Sequence, residues 1–304
     1  MLTSIDNQSD YSESEKWKEE KPLSEIISVV TGATRGAGKA ISFVLGEAGS
    51  TVYVTGRTSG NHPGSNNLSW TVEDTAAEVT SRGGEGIPRR CDHTKDDDIR
   101  ELFARVKKQQ GHLDVLVNNV WGGYTPYEEH NDWFSHPLWE QSMERWEGMF
   151  TAGVRAHMVS NMYGIPLLFK TNGLIVSTSY WNRGEYLGLL FYDMAKRSIN
   201  RMAFGSGKEL QGEGITAVSI SPGWMRVEKM YGKVRKDKLE AIESPEYLGR
   251  VILALALDKN RIQMSGKTWE VWGLAKIYRV KDIDHSYHNY HEEIRDPKNV
   301  LYEP

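Results

Sequence analysis

The sequence has little cysteine, little net charge and no long hydrophobic run. Its only cysteine is Cys91, so an intramolecular disulfide is impossible and a reducing, cytoplasmic location is expected. The formal net charge is -4 over 304 residues, and without a basic run no nucleic-acid partner is expected. No apolar stretch is long enough to span a bilayer, and the polar, acidic start does not fit a signal peptide. The expected class is a soluble globular protein without a membrane partner.

Strand and helix signals alternate along the chain. This alternation predicts an α/β fold, with a doubly wound, seven-stranded parallel sheet in a single domain. The predicted strands lie near 26–31, 51–55, 86–91, 113–118, 173–178, 215–220 and 268–272. The predicted helices lie near 36–48, 71–82, 96–109, 139–169, 189–211 and 244–258.

A glycine-rich turn follows the first predicted strand. The apolar run that ends at Thr31 leads into Gly32-Ala33-Thr34-Arg35-Gly36-Ala37-Gly38, and helical periodicity begins directly afterwards. Strand, glycine-rich turn and helix together direct backbone N–H groups and a helix N-terminus at a diphosphate. The spacing is not that of a P-loop, because Ala33 and Ala40 stand where that motif needs glycine and a magnesium-binding hydroxyl.

Tyr192 is the only tyrosine with a lysine four positions further along, Lys196. On a helix this spacing places both side chains on one face. A nearby ammonium favours the phenolate, which makes the phenol a better proton donor than its free pKa of about 10 allows. The pair fits the reduction of a carbonyl, although a solvated helix face would give the same pattern.

With these motifs in order, the sequence resembles the short-chain dehydrogenase/reductase family over about residues 24–275. The resemblance is carried by the glycine-rich turn, Asp92, Asn118-Asn119-Val120-Trp121, the Tyr192–Lys196 pair and Ser221-Pro222-Gly223. It is most similar to a bacterial subgroup with an Asn-x-x-Trp-Gly-Gly motif and a Phe-Tyr-Asp-x-Ala-Lys motif. The resemblance implies a Rossmann-type fold, a nicotinamide cofactor, a small carbonyl or alcohol substrate, and a homodimer or homotetramer. It places the Rossmann-type domain at 23–275, between a disordered acidic tail (1–22) and a C-terminal extension (276–304), and no metal site is predicted.

The family also implies roles for individual residues. Tyr192 would exchange a proton with the substrate oxygen, Lys196 would lower the tyrosine pKa, and Ser179 would hold the substrate oxygen, with Ser177 as the nearby alternative. The implied cofactor-binding residues are Thr31, Gly32, Thr34, Arg35, Gly36, Ala37, Gly38, Arg57, Asp92, Asn118, Val120, Pro222 and Gly223.

Arginine stands where the family selects its cofactor. Gly56 replaces the acidic residue that binds the ribose 2′-hydroxyl of NAD, and Arg57 follows it. A guanidinium can fork onto a 2′-phosphate, and Arg35 can assist. NADP(H) is therefore expected rather than NAD(H).

Two positions depart from the family pattern. Gly153 stands where an asparagine often supports a proton relay, with His157 and Asn161 as possible substitutes, and Val227 replaces a threonine that binds the nicotinamide carboxamide. The aromatic residues expected at a substrate cleft are Trp121, Tyr180, Trp181 and Trp224, within a wider set that includes Tyr124, Tyr127, Trp133, Trp139 and Tyr186.

The leading hypothesis is an NADP(H)-dependent oxidoreductase for a ketone, an aldehyde or a secondary alcohol. Because of Gly153 and Val227, an NADP(H)-binding regulatory or scaffold protein with little catalysis is the alternative. An isomerase, epimerase or dehydratase on the same fold is a third hypothesis.

Overall fold

The computed structural model describes residues 15–60, 70–123, 137–181, 186, 189–231 and 234–288. Seven parallel strands form one sheet: β1 (Ile27–Val30), β2 (Thr51–Gly56), β3 (Glu85–Arg90), β4 (Val115–Asn118), β5 (Leu174–Thr178), β6 (Thr216–Ser221) and β7 (Thr268–Glu270). Their spatial order is β3-β2-β1-β4-β5-β6-β7. The doubly wound, seven-stranded parallel sheet predicted from the sequence is confirmed.

Ten α-helices are described. They are α1 (Trp17–Glu20), α2 (Gly36–Glu47), α3 (Val72–Ser81), α4 (Asp96–Gln110), α5 (Met143–Met149), α6 (Ala156–Leu168), α7 (Leu190–Glu209), α8 (Lys236–Glu240), α9 (Pro245–Leu257) and α10 (Val271–Tyr278). Short 3-10 turns lie at Leu138–Glu140, Gln211–Glu213, Glu228–Met230 and Arg261–Met264, and Phe150–Arg155 forms a π-helical stretch. None of the described helices has the length and apolar character needed to cross a membrane.

The sheet has one apolar core on each face. All four residues of β1 and of β4 are buried, as expected for strands covered on both sides. On one face α2 and α9 pack together over the sheet, and on the other face α4 packs against α6. Burial on both faces explains why these strands are continuous apolar runs rather than alternating ones.

The order of the strands reverses between β1 and β4. From β1 the chain proceeds through β2 to β3 on one side, and then returns to β4 on the other side. Loops that leave the carboxyl ends of the two central strands diverge at this point, and the crevice between them is where open α/β sheets bind ligands. The glycine-rich turn after β1 and Asn119 after β4 both lie here.

The structure breaks the single helix expected over 139–169 into four pieces. A 3-10 turn at Leu138–Glu140 precedes α5, and the π-helical stretch Phe150–Arg155 separates α5 from α6. At Gly153, within this stretch, the backbone lies directly against the ring of Trp121. Apolar periodicity alone could not predict this bulge, because the indole that packs against it comes from another loop.

The strand expected over 268–272 is also shorter than predicted. β7 ends at Glu270 and the chain continues directly into α10. The expected C-terminal extension therefore begins inside a helix, since α10 crosses residue 276 and ends at Tyr278.

The first residues described belong to the folded domain rather than to a disordered tail ending at 22. Trp17 in α1 is only 4% exposed and joins the core beneath α2. The ammonium of Lys21 donates hydrogen bonds of 2.8 Å to the carbonyls of Glu47 and Arg82. The expectation that residues 15–22 are disordered is wrong, because the buried indole and these bonds hold them in place, and residues 1–14 lie outside the described part.

A polar cluster that the sequence did not predict fixes the C-terminal segment. Asp282 is fully buried and accepts hydrogen bonds from the backbone N–H of Ser244 (2.6 Å) and from its hydroxyl. His288 lies 3.3 Å from both Asp282 and Asp284, and the guanidinium of Arg226 lies 3.7 Å from Asp284. These contacts join the segment after α10 to the start of α9, and residues 289–304 lie outside the description.

Candidate active site

The glycine-rich turn runs so close to its neighbours that side chains would not fit. Gly32 has a φ of +66°, and a Cβ there would stand 2.8 Å from Cα of Val120. A Cβ on Gly38 would stand 2.4 Å from the carbonyl oxygen of Gly32. Gly36 also has a positive φ, +53°, and begins α2. Gly32 is required for both its backbone conformation and the lack of space, Gly36 for its conformation, and Gly38 for the lack of space.

Contacts with the residues that follow β4 hold this turn in place. The hydroxyl of Thr31 accepts hydrogen bonds from the backbone N–H groups of Asn119 (2.8 Å) and Val120 (3.1 Å). The amide of Asn119 donates to the carbonyls of Thr31 and Gly32, both at 3.1 Å. Asn119 was not among the predicted site residues, yet it connects the two central strands. The sequence signal for Asn119 was the pair of adjacent asparagines. Because successive strand residues point to opposite faces, the two side chains of the pair are directed to different neighbours.

Asn118 points away from the glycine-rich turn. Its amide donates a 2.7 Å hydrogen bond to Asn161 on α6, while its own Oδ1 is buried and has no hydrogen-bond partner among the described residues. Nearby, Nε2 of His157 lies 3.1 Å from the carbonyl of Val120. A carbonyl only accepts, so Nε2 carries the proton. Burial lowers the pKa of His157, and the positive charge of Lys196 lowers it further, to about 3. The imidazole is therefore neutral.

Contacts link the three predicted catalytic residues near the carboxyl end of β5. α7 places Tyr192 and Lys196 one turn apart, with the ammonium 5.6 Å from the tyrosine ring centroid. Ser179 follows β5, is 4% exposed, and its hydroxyl donates to the carbonyl of Lys196 at 3.1 Å. Burial lowers the pKa of Lys196 to about 7.

Trp121 lies against this group. Its ring meets that of Tyr192 edge to face, with centroids 5.7 Å apart, and the ammonium of Lys196 lies 3.8 Å from its centroid. Tyr180 is a second aromatic neighbour of Tyr192, at 5.8 Å. Trp121 and Tyr180 were predicted as substrate-cleft residues, and they lie beside the proposed catalytic tyrosine.

Other predicted cleft residues lie at the ends of β5 and β6. The backbone N–H of Trp181 donates to the hydroxyl of Ser221 at 2.8 Å, which joins the loops after these two strands. Pro222, Gly223 and Trp224 follow β6 and are partly exposed.

Tyr186 is exposed at the rim, and Trp139 is 83% exposed. Tyr124, Tyr127 and Trp133 lie outside the described residues.

Two arginines, Arg35 in the turn and Arg57 after β2, lie near enough for the charge of Arg57 to affect Arg35. Burial lowers the pKa of Arg35, and the positive charge of Arg57 lowers it further, while the carboxylate of Glu228 opposes this. Asp92 lies close to Arg57: burial works to raise its pKa, but hydrogen bonds from Thr94 and then the charge of Arg57 give a net lowering. Thr34, which was predicted at the cofactor, packs against Gly56, where a Cβ would stand 2.9 Å from Thr34 Cγ2.

The residues present fit a dinucleotide. The start of α2 already attracts a negative group, since the carboxylate of Glu228 accepts a 3.0 Å hydrogen bond from the backbone N–H of Gly36 and pairs with Lys39. A helix N-terminus with a glycine-rich approach and nearby arginines is suited to a phosphate diester. Glu228 and Lys39 were not predicted at the site, because Glu228 comes from 192 positions further along the chain.

Comparison with known proteins agrees with the fold. The sequence model of the short-chain dehydrogenase family matches residues 27–239. Dehydrogenase/reductase SDR family member 1 of Mus musculus is 32% identical over 279 residues, covering 86% of this chain and 85% of the mouse protein. The chain belongs to the short-chain dehydrogenase/reductase family and is an oxidoreductase of that family.

Another curated protein and one solved structure are also similar to this chain. The 3-oxoacyl-acyl-carrier-protein reductase of Thermotoga maritima is 28% identical over 248 residues, covering 77% of this chain and 91% of that protein. The crystal structure of a metagenomic short-chain oxidoreductase in complex with NADP superposes with a TM-score of 0.63. It is 23% identical and covers 81% of this chain and 96% of that one.

Proposed function

We propose that the protein is an NADP(H)-dependent oxidoreductase that interconverts a ketone or aldehyde and a secondary or primary alcohol. The observation that carries the proposal is a set of contacts: Tyr192 and Lys196 share one helix face against Trp121, and the hydroxyl of Ser179 donates to the carbonyl of Lys196. Trp121 directly follows Val120, which packs against Gly32 of the glycine-rich turn. The nicotinamide, when bound, supplies or accepts the hydride. The reductase from Thermotoga maritima, whose name refers to a 3-oxoacyl substrate, supports a carbonyl as the substrate class.

The three side chains divide the remaining chemistry. In reduction the phenol of Tyr192 donates its proton to the developing alkoxide, and in oxidation the phenolate accepts it. The positive charge of Lys196 favours the phenolate form of Tyr192. The hydroxyl of Ser179 donates a hydrogen bond to the substrate oxygen where negative charge develops, once it turns from the carbonyl of Lys196.

The choice of NADP(H) over NAD(H) rests on Arg35 and Arg57. The positive charge of Arg57 disfavours the charged form of Arg35, and an anion beside both guanidinium groups would relieve this. A 2′-phosphate at the end of β2 would supply that anion, and no carboxylate stands at Gly56 to repel it. The metagenomic relative, whose structure contains NADP, adds support by similarity.

The test is NADPH oxidation with a panel of ketones and aldehydes, run for the wild type and for Tyr192→Phe. The wild type is expected to turn over at least one carbonyl, with kcat about 10²- to 10⁴-fold lower in Tyr192→Phe, since a positioned proton donor contributes that much. NADPH affinity, measured by fluorescence, should stay within about twofold in the variant. Equal turnover by both proteins would contradict the role of Tyr192.

The alternative, an NADP(H)-binding regulatory or scaffold protein, is separated by the same assay. It predicts NADPH binding without turnover on any member of the panel. Gly153 and Val227 are the features that favour it, whereas Ser179, Tyr192 and Lys196 would have no purpose in it.

We also propose that the protein is a cytoplasmic homodimer or homotetramer. Apolar side chains are exposed on α6 and just after it (Met158, Met162 and Phe169) and on α7 (Met194 and Phe204). Exposed apolar side chains on these two helices favour burial against a second copy. Sedimentation velocity should show that Met162→Asp dissociates the oligomer, whereas Met143→Asp, at an exposed position on α5, leaves it intact. A monomeric wild type would contradict the proposal.

A further inference from the structure

The ammonium of Lys196 is buried away from water, and among the described residues no carboxylate compensates its charge. Lys196 is 7% exposed, and burial alone accounts for its lowered pKa. The titratable groups that face it are Tyr192 on its own helix and His157 on α6, and within the described part of the chain no carboxylate contributes to its pKa. A buried cation needs some compensation for lost hydration.

The indole of Trp121 supplies that compensation. The ammonium lies 3.8 Å from the ring centroid, which is within the range where the negative face of an indole attracts a cation. Trp121 also contacts the ring of Tyr192 through its edge-to-face geometry. One aromatic side chain therefore touches both members of the Tyr192–Lys196 pair.

The indole can occupy this place only because residue 153 is glycine. A Cβ built on Gly153 would stand 2.7 Å and 2.8 Å from Cζ3 and Cε3 of Trp121, closer than real Cβ contacts. Gly153 lies in the π-helical stretch Phe150–Arg155, a kind of helix defect common at functional sites. On the other side of the ring, a Cβ on Gly123 would stand 2.9 Å from Cε2 and Cζ2. The indole is thus confined between two glycine backbones.

We propose that Trp121 is a positioning residue for Lys196, holding the ammonium against the face of its indole, and that glycine at position 153 is required because any side chain there would displace the ring. The catalytic meaning of this pairing rests on the proposed function, but the pairing itself is a property of the protein without cofactor. Among the described residues, the face of the indole rather than a carboxylate is then the group that compensates the buried charge of Lys196.

The first experiment titrates Lys196 in the protein without cofactor by ¹³Cε-lysine NMR, with the signal assigned by its loss in Lys196→Met. Trp121→Leu keeps an apolar cover but loses the aromatic face, so the pKa of Lys196 should fall by about half a unit to one unit. Trp121→Phe keeps a face and should shift it less. An unchanged pKa in Trp121→Leu would overturn the proposal.

The second experiment is a double-mutant cycle on stability, read as urea midpoints. Gly153→Ala should lower the midpoint, and it should lower it much less in a Trp121→Phe background, where the smaller ring leaves room for a methyl group. Gly205→Ala is the matched control, since a Cβ at that helical glycine meets nothing within 4 Å. Additive effects of the two substitutions would overturn the pairing of Trp121 with Gly153.

Activity provides a separate readout if the carbonyl panel yields a substrate. Trp121→Leu should then lower kcat and shift the pH profile, while NADPH affinity stays within about twofold. Because the titration and the cycle need neither cofactor nor substrate, failure of the proposed function would leave both results interpretable.

Discussion

The carboxylate of Glu228 accepts a 3.0 Å hydrogen bond from the backbone N–H of Gly36 and pairs with the ammonium of Lys39. Burial works to raise the pKa of Glu228, but Lys39 and the backbone N–H outweigh it, so the net shift is downward and the group is charged at neutral pH. A negative side chain therefore occupies the helix N-terminus at which a diphosphate is expected.

Removing this carboxylate should strengthen cofactor binding. In Glu228→Ala the N-terminus of α2 and Lys39 become available to phosphate, and we expect the Kd for NADPH to fall about three- to tenfold. Fluorescence titration measures it. Glu240→Ala is the control, since Glu240 is exposed and pairs only loosely, at 3.6 Å, with Lys236. Weaker binding in Glu228→Ala would instead mean that Glu228 shapes the loop for the cofactor.

Arg57→Gln should reduce the preference for NADPH. Loss of one charge-assisted contact to a 2′-phosphate is expected to weaken NADPH binding about 10- to 100-fold, because such a contact is worth about 1.5–3 kcal/mol. NADH binding should change by less than about twofold, since NADH lacks the phosphate. Arg279→Gln, beyond α10 and away from the turn, is the matched control. Equal losses for both cofactors would remove the argument for NADPH.

Asn119→Ala should destabilise the fold and weaken cofactor binding together. The substitution leaves the carbonyls of Thr31 and Gly32 without their donor, at an expected cost of about 1–3 kcal/mol in the free energy of unfolding. Urea denaturation measures that cost. Asn260→Ala, at an exposed position after α9, should cost less than about 0.5 kcal/mol. A neutral Asn119→Ala would show that the turn holds its shape without this amide.

Buried His93 should make stability fall in mild acid. Its Nε2 lies 2.8 Å from the Thr55 hydroxyl, and burial lowers its pKa to about 4 from an ordinary 6.5. Between these values the unfolded chain binds a proton that the folded chain does not, so stability is complete above pH 6.5 and is lost as the pH falls toward 4. The expected loss is on the order of 3 kcal/mol, and His157 adds a loss of the same sign.

Urea unfolding at several values between pH 7 and pH 4 measures this dependence. His93→Gln removes one of the two described imidazoles whose pKa is lowered by burial, and it should flatten the slope even if it lowers stability at pH 7. His112→Gln, at a partly exposed histidine near Asp114, is the control and should leave most of the slope intact. A slope unchanged by His93→Gln would show that other groups carry the acid sensitivity.

Local sequence signals were sufficient for the strands and for the separate motifs. The apolar runs at β1 and β4 predict buried strands because a parallel sheet covers both of its faces, and this pattern can be read within a few residues. The spacing of Tyr192 and Lys196 can be interpreted just as locally. It predicts a shared helix face because that depends on α-helical geometry alone. Residue type, in contrast, does not distinguish Asn119 from Asn118. The two asparagines differ only in the face of the sheet to which the alternation of side chains directs each one.

The sequence by itself determined that this chain forms a parallel α/β sheet with a glycine-rich turn and a tyrosine–lysine pair, because each of these depends on short-range periodicity and backbone geometry. The contacts that those groups make were known only from the tertiary structure. It placed Glu228 on the N–H of Gly36 and the ring of Trp121 between Lys196 and Gly153. Such contacts join residues far apart in the chain, and their distances follow from how the whole sheet and its helices pack, which no local pattern encodes.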